Sequence, residues 1–286
     1  MLRLVRGLLN LFFILWLPSC AGFEFSMSGP SQEFQLDFGT GLPFSQGQWH
    51  GHRARMLWDT GSSFSVISHD LVATTAPQGT FQQGSNTLVL QGLSLTSPVF
   101  HDGGFSGLIG GEAFRHCLVV FNFAKHTILL SSLPLARYDT RNAHQFFFTL
   151  VGNRPLCRIL IADQPYTALI DTGSVDVLTL QGLAARKLPP KAIRKTLALV
   201  PSENAFEKFH SRRVILSSAK VFGEQLNSPV VNLDGVSPHS VDAQGHQIDT
   251  KDPYQVVIGY GFLKTGILTL DYRTGVGFWV KNRPTP

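Results

Sequence analysis

Charge is scarce in this chain. Only 15% of its 286 residues are Asp, Glu, Lys or Arg, against 43% hydrophobic residues. That balance supports a packed core and excludes both a disordered segment and a coiled coil. Cysteine is scarcer still, at three residues, so no disulfide framework can hold a chain of this length. No Cys/His spacing reads as a zinc knuckle either. The basic excess is small: 24 Lys and Arg against 19 acids leave +5. It reads as scattered, which argues against a nucleic-acid partner. What is plentiful is Gly, at 27, and Phe, at 22, a composition of turns and packed strands. The length suits two domains of roughly 150 residues, or one fold duplicated.

The N-terminal stretch has its own character. Residues 1–20 carry Arg3 and Arg6, no acid, and an apolar run from Leu8 to Leu17. This is the pattern of an export signal. The run is about half the ~20 apolar residues a spanning helix needs, and Asn10 interrupts it. Its exit reads in two ways. Ser19-Cys20-Ala21 supplies small residues for cleavage before Gly22, whereas Leu17-Pro18-Ser19-Cys20 resembles a bacterial lipobox. In the second reading Cys20 is acylated and attaches the chain to a membrane. Loss of Cys20, or its acylation, leaves Cys117 and Cys157 either as a disulfide pair or as two buried thiols.

The rest of the chain says the same thing twice. Arg55-Met-Leu-Trp-Asp59-Thr60-Gly61-Ser62 is echoed by Thr167-Ala-Leu-Ile-Asp171-Thr172-Gly173-Ser174. A second echo follows each: Gly107-Leu-Ile-Gly110 and Val256-Val-Ile-Gly259, both leading into strand-like runs. From Asp to the aligned Gly is 51 residues in the first copy and 88 in the second. The second copy therefore carries about 37 extra residues, expected in 188–211 and 236–253. Short helices are expected at 181–187 and 190–199, and period-two alternation elsewhere favours strands.

A lone Asp-Thr-Gly-Ser is an ordinary turn; a pair of them has a chemistry. Two carboxylates a few ångströms apart in a dry cleft cannot both ionise, so they share a proton. The ionised member can take a proton from water while the protonated one donates to an amide carbonyl, which suffices for peptide hydrolysis. Asp59 and Asp171 are the expected acid and base. Gly61 and Gly173 permit close approach of the two loops. Thr60 and Thr172 can lock the loops by hydroxyl-to-backbone bonds, and Ser62 and Ser174 can hold the outer carboxylate oxygens.

These motifs resemble the aspartic proteases of the pepsin and retropepsin superfamily. Asp59-Thr-Gly-Ser-Ser followed by Val66-Ile-Ser looks like their first active-site motif, and Ala168-Leu-Ile-Asp171-Thr-Gly-Ser like their second. Val257-Ile-Gly-Tyr-Gly-Phe-Leu263 with Asp271-Tyr-Arg-Thr-Gly-Val-Gly-Phe278 is similar to their C-terminal signature. The resemblance implies an all-β, bilobal pepsin-like fold of two β-barrel-like lobes with a cleft between them. Residues 1–21 would be the export signal, 22–136 the N-terminal lobe and 137–286 the C-terminal lobe. It also implies an extended polypeptide as substrate, no metal or organic cofactor, and a chain that works as a monomer. The rival reading is a peptide-binding protein on the same scaffold that does not cut.

A flap over the cleft belongs to this resemblance. The hairpin expected at 77–88 offers Phe81 for the role but no Tyr; a second flap is an alternative near 202–210. His50 and His52 read as exposed polar residues rather than metal ligands, and His101-Asp102 as a turn, since no Gly-x-Ser-x-Gly accompanies it. Arg212, Arg213 and the basic residues of 187–195 suit an acidic substrate, lipid headgroups or plain solvent.

Overall fold

The computed structural model describes residues 26–27, 29–39, 41–72, 78–95, 100, 104–135, 138, 140, 142–203, 208–234 and 253–282. The export signal with Cys20, the His101-Asp102 pair and most of 236–253 lie outside them.

Alternating burial makes strands of nearly everything else. The first half contains β1 (Ser26–Met27), β2 (Ser31–Gln35), β3 (Phe44–Trp49), β4 (His52–Trp58), β5 (Val66–Ser68), β6 (Gln78–Gln83), β7 (Asn86–Gln91), β8 (Leu93–Leu95), β9 (Gly107–Ile109), β10 (Leu118–Asn122) and β11 (Thr127–Ser131). The second contains β12 (His144–Val151), β13 (Arg154–Ile161), β14 (Gln164–Asp171), β15 (Leu178–Leu180), β16 (Ile193–Glu203), β17 (Lys208–Leu216), β18 (Ser218–Val221), β19 (Glu224–Asn227), β20 (Val230–Asp234), β21 (Val256–Gly259), β22 (Gly266–Asp271) and β23 (Val276–Lys281). Among the described residues, helix is confined to short pieces such as His69–Val72, Gly182–Lys187 and Tyr260–Leu263.

The repeat seen in sequence is a repeat of pairings. β4 runs parallel to β9 as β14 does to β21. β5 pairs with β8 and β9 as β15 pairs with β20 and β21. β3 pairs with β6 as β13 pairs with β18. The two copies meet where β10 lies antiparallel to β22, Val120 opposite Thr269. Around that seam β2, β11, β10, β22, β23 and β12 form one continuous run of strands shared by both halves. The fold is thus all-β and bilobal.

Aromatic side chains fill both cores. In the first, Phe34 packs on Trp58 with ring centres 5.2 Å apart and on Phe81 at 6.2 Å. In the second, Phe146 stacks on Phe222 at 4.0 Å and Phe262 on Trp279 at 4.9 Å. Each such ring stabilises the fold by roughly 1.5–3 kcal/mol when taken fully out of water. Across the halves, Phe38 stacks on Tyr260 at 5.4 Å. Cys117 and Cys157 are free and buried, with burial pushing both thiols up to about 12.

One expectation is overturned here. Residues 193–199 do not extend a helix; only Pro190–Ala192 makes a single 3-10 turn, and Ile193 begins the eleven-residue strand β16. β17 supplies a hydrogen-bonded partner from Ile193↔Leu216 to Glu203↔Lys208, and that long-range ladder overrides weak local helical preference. Among the described strands, the hairpin β16–β17 is the part of the second half's plan with no equivalent in the first. It accounts for most of the extra length at 188–211.

Candidate active site

Two buried strands deliver the acids. β4 ends at Trp58, so Asp59 is the first residue past the sheet, its N–H donating to the Ile109 carbonyl at 3.0 Å. β14 ends on Asp171, opposite Gly259 of the parallel neighbour. Each carboxylate is capped by its own turn. Asp59 Oδ1 accepts from the N–H groups of Gly61 (2.8 Å) and Ser62 (3.2 Å), and Asp171 Oδ1 from Gly173 N–H (2.8 Å). Only 4% of either residue is exposed, and each carboxyl lies against the other's turn, Asp171 beside Gly61 and Asp59 beside Gly173.

The threonines make a reciprocal clasp. Thr60 N–H donates to Thr172 Oγ1 and Thr172 N–H to Thr60 Oγ1, both at 3.1 Å. Each hydroxyl then donates onward, Thr60 to the Ile170 carbonyl at 2.7 Å and Thr172 to the Trp58 carbonyl at 2.6 Å. Four buried bonds thereby tie each loop to the strand that carries the other acid.

The glycines are set by the same approach. A Cβ at residue 61 would lie 2.4 Å from Asp171 Cγ, and one at 173 would lie 2.7 Å from Asp59 Cγ. The glycines of the second echo back the loops from behind. A Cβ at Gly110 would strike the Phe64 carbonyl at 2.4 Å, and one at Gly259 the Asp176 carbonyl at 2.3 Å. No side chain fits at any of the four positions without moving backbone or an acid.

Electrostatics follow from this geometry. Burial pushes the Asp59 carboxyl up to about 6, opposed by its hydrogen bonds with Asp171, Gly61 and Ser62. Burial first, then the negative charge and hydrogen bond of Asp59, push Asp171 well above the usual carboxylate range. Two such acids in contact hold one proton between them over a broad pH interval.

Two expectations fail in detail. The serine hydroxyls do not hold the outer carboxylate oxygens: Ser62 Oγ donates to the Phe64 carbonyl at 2.7 Å, and Ser174 Oγ is buried with no partner. Ser62 serves through its backbone N–H instead. Phe81 is not a flap residue. It stands opposite Trp49 where β6 pairs with β3, is fully buried, and fills the space that Gly47 leaves open, where a Cβ would meet its ring at 2.7 Å. At the far end of this hairpin, Gln83 bonds to the backbone of Gln35 and Gln46. The hairpin β6–β7 thus belongs to the wall of the first half, where β18–β19 stands in the second.

Sequence reasoning missed Glu112. It follows Gly110-Gly111, is 4% exposed, and neither carboxyl oxygen makes a well-formed hydrogen bond. Burial pushes it up to about 7, opposed chiefly by Ser65. Gly111 N–H donates to the Ser62 carbonyl at 2.8 Å and Gly110 N–H to Ser65 Oγ at 3.0 Å, so Glu112 sits behind the loop that carries Asp59. The signal was the departure from the repeat: the second copy has Gly261 at this place.

The loop after Asp171 has a different support. Asp176 Oδ2 accepts from Asn232 Nδ2 at 2.7 Å and from Thr179 Oγ1 at 3.3 Å, while Arg213 Nε donates to Asn232 Oδ1 at 3.2 Å. His50 and His52 take no part in the site; His50 Nε2 meets the Gln78 carbonyl at 3.0 Å.

No protein-family model and no curated protein matches the chain. A solved structure does: the crystal structure of basic 7S globulin from soybean is similar over 91% of this chain and 95% of that one, with a TM-score of 0.51 and 11% sequence identity. At that identity the likeness is one of fold alone, and it extends along almost the whole chain: the architecture is the all-β, bilobal, pepsin-like one.

Proposed function

We propose that this chain is an aspartic endopeptidase that hydrolyses peptide bonds of extended polypeptides with water activated between Asp59 and Asp171. The observation that carries this reading is the approach of two buried carboxyls, each lying against the other's turn and fixed by its own turn and by the threonine clasp. The pair holds one shared proton, so that one member is the acid and the other the base. The ionised carboxylate takes a proton from the water as its oxygen bonds to the scissile carbonyl carbon, and the protonated one donates its proton to the carbonyl oxygen. Collapse of the tetrahedral intermediate returns that proton to its donor, breaks the C–N bond and passes the proton taken from water to the departing amine. No metal or organic cofactor enters this scheme. Because both acids come from one chain, a monomer suffices.

The reading extends to location. The segment before Gly22 would export the chain, either released as a soluble protein or held at a membrane through acylated Cys20. Mass measurement of the mature N-terminus distinguishes an acyl-Cys20 from a free Gly22.

The test of function is cleavage of a mixed peptide library by the wild type and by Asp59→Asn and Asp171→Asn. Loss of cleavage in both variants supports the reading. Intact peptide bound by the wild type without products would favour the binding-only alternative.

A further inference from the structure

Among the described strands the hairpin β16–β17 has no counterpart in the first half, and three of its properties coincide. First, its charge is one-sided. Residues 193–216 contain five Lys and Arg against two Glu, a net +3 of the chain's +5. The excess that reads as scattered along the sequence is therefore concentrated here. Both Glu fall in the middle of this stretch of sequence, at 203 and 207; the stem carries Arg194, Lys195, Arg212 and Arg213. Among the described side chains no carboxylate pairs with Arg194, Lys195 or Arg212.

Second, among the described strands β16 is terminal in its sheet, hydrogen-bonded to β17 alone. No described strand takes its outer row of N–H and C=O groups, which an edge strand offers for pairing. Irregularities between Ile193 and Lys195 and between Thr196 and Ala198 break the first part of the ladder. From Ala198 to Glu203 it is regular. Third, Leu197 and Leu199 are 41% and 70% exposed. Two leucines at alternate positions of a strand edge are an apolar contact row for a chain laid alongside.

The hairpin is also wired to the site. Arg213 reaches Asp176 through Asn232, and Asp176 lies in the loop that follows Asp171.

We propose that the β16 edge docks an extended, acidic segment of the polypeptide substrate by strand addition. Its backbone would complete the open ladder, its apolar side chains would cover Leu197 and Leu199, and its carboxylates would meet Arg194, Lys195 and Arg212. This rests on the endopeptidase reading and narrows it to polypeptides bearing an acidic stretch away from the scissile bond. An anionic lipid surface would satisfy the charge but makes no use of an open backbone ladder.

The experiment takes a cleavable core peptide chosen from the library and extends it with a tail rich in Glu, Gln or Lys. The kcat/KM of each is measured with the wild type and with the triple variant Arg194→Glu, Lys195→Glu, Arg212→Glu. Fluorescence anisotropy of the same peptides on Asp171→Asn measures binding without turnover. In the wild type the Glu tail is favoured over the Gln tail by roughly ten-fold at low salt, the size expected of three surface charge pairs, and the preference fades at high salt. In the triple variant it disappears or turns toward Lys. Equal kcat/KM for all three tails, with cleavage intact, overturns the docking strand and leaves the endopeptidase standing. If the wild type cleaves no peptide of the library, the three tails are placed on an uncleaved library peptide, and charge-dependent binding of these to the wild type supports the docking strand and removes the endopeptidase. Hairpin-dependent sedimentation with phosphatidylglycerol vesicles, not competed by the Glu-tailed peptide, overturns the polypeptide as occupant.

Discussion

Gly61 lies so close to Asp171 that a methyl group on it would stand 2.4 Å from the carboxyl carbon, well inside van der Waals contact. The mirror relationship holds between Gly173 and Asp59 at 2.7 Å. The contact of the two acids therefore depends on glycine in both turns. Gly61→Ala is expected to push the acids apart, lowering stability by about 1–3 kcal/mol and abolishing cleavage. Thermal unfolding and peptide assays on the same sample check both parts; a fully active Gly61→Ala protein would contradict the geometry.

The threonine clasp makes a second expectation. Each hydroxyl accepts one buried N–H and donates to one buried carbonyl. Thr172→Val strands the Thr60 N–H and the Trp58 carbonyl and should cost on the order of 3 kcal/mol. Thr172→Ser keeps both bonds and should stay near wild type. Denaturant unfolding of the two variants separates loss of the hydroxyl from loss of the methyl group; equal losses would show that the clasp contributes nothing.

The pair should leave its mark on the pH dependence of turnover. Activity needs one proton on the two acids. Below about 6, where Asp59 is held up by burial, both are protonated and no base remains. Well above that value the pair also loses its remaining proton and no acid remains. A bell-shaped kcat profile with its lower limb near pH 6 is expected. A flat profile from pH 4 to 9 would exclude a shared proton as the working state.

Glu112 gives a stability prediction with a definite sign. Its carboxyl rises from an ordinary 4.5 to about 7 in the folded chain. The native state therefore binds the proton more tightly than the unfolded one. The stability this confers is complete below pH 4.5 and is lost as pH climbs toward 7, by an amount on the order of 3 kcal/mol. Glu112→Gln should flatten that part of the stability–pH curve and leave the contribution of the Asp pair in place. An unchanged slope in the variant would mean that Glu112 does not hold its proton in the fold.

The paired acids, their glycines and the duplicated plan were legible because the information is local: an eight-residue stretch around Asp59 is echoed around Asp171 with five positions identical. Side-chain direction was not. Whether Ser62 Oγ turns to Asp59 or to the Phe64 carbonyl is a rotamer choice made by the packed loop, and whether Phe81 faces a cleft or a core depends on the pairing of β6 with β3. The added hairpin was legible as extra length but not as strand. Residues 193–199 have little periodicity of their own, and β17 settles their conformation from across the hairpin. Glu112 was hidden among glycines in a segment that reads as a turn.

The central claim is that Asp59 and Asp171 act as one hydrolytic unit. The most direct measurement is the cleavage rate of a single peptide, drawn from the library, by the wild type, Asp59→Asn, Asp171→Asn and the double variant, each first shown to be folded. Either single substitution is expected to cost at least ~100-fold in kcat, and the double variant should lose little more than either alone, because removing one member already disables the other. Single variants that cut at the wild-type rate would contradict the account.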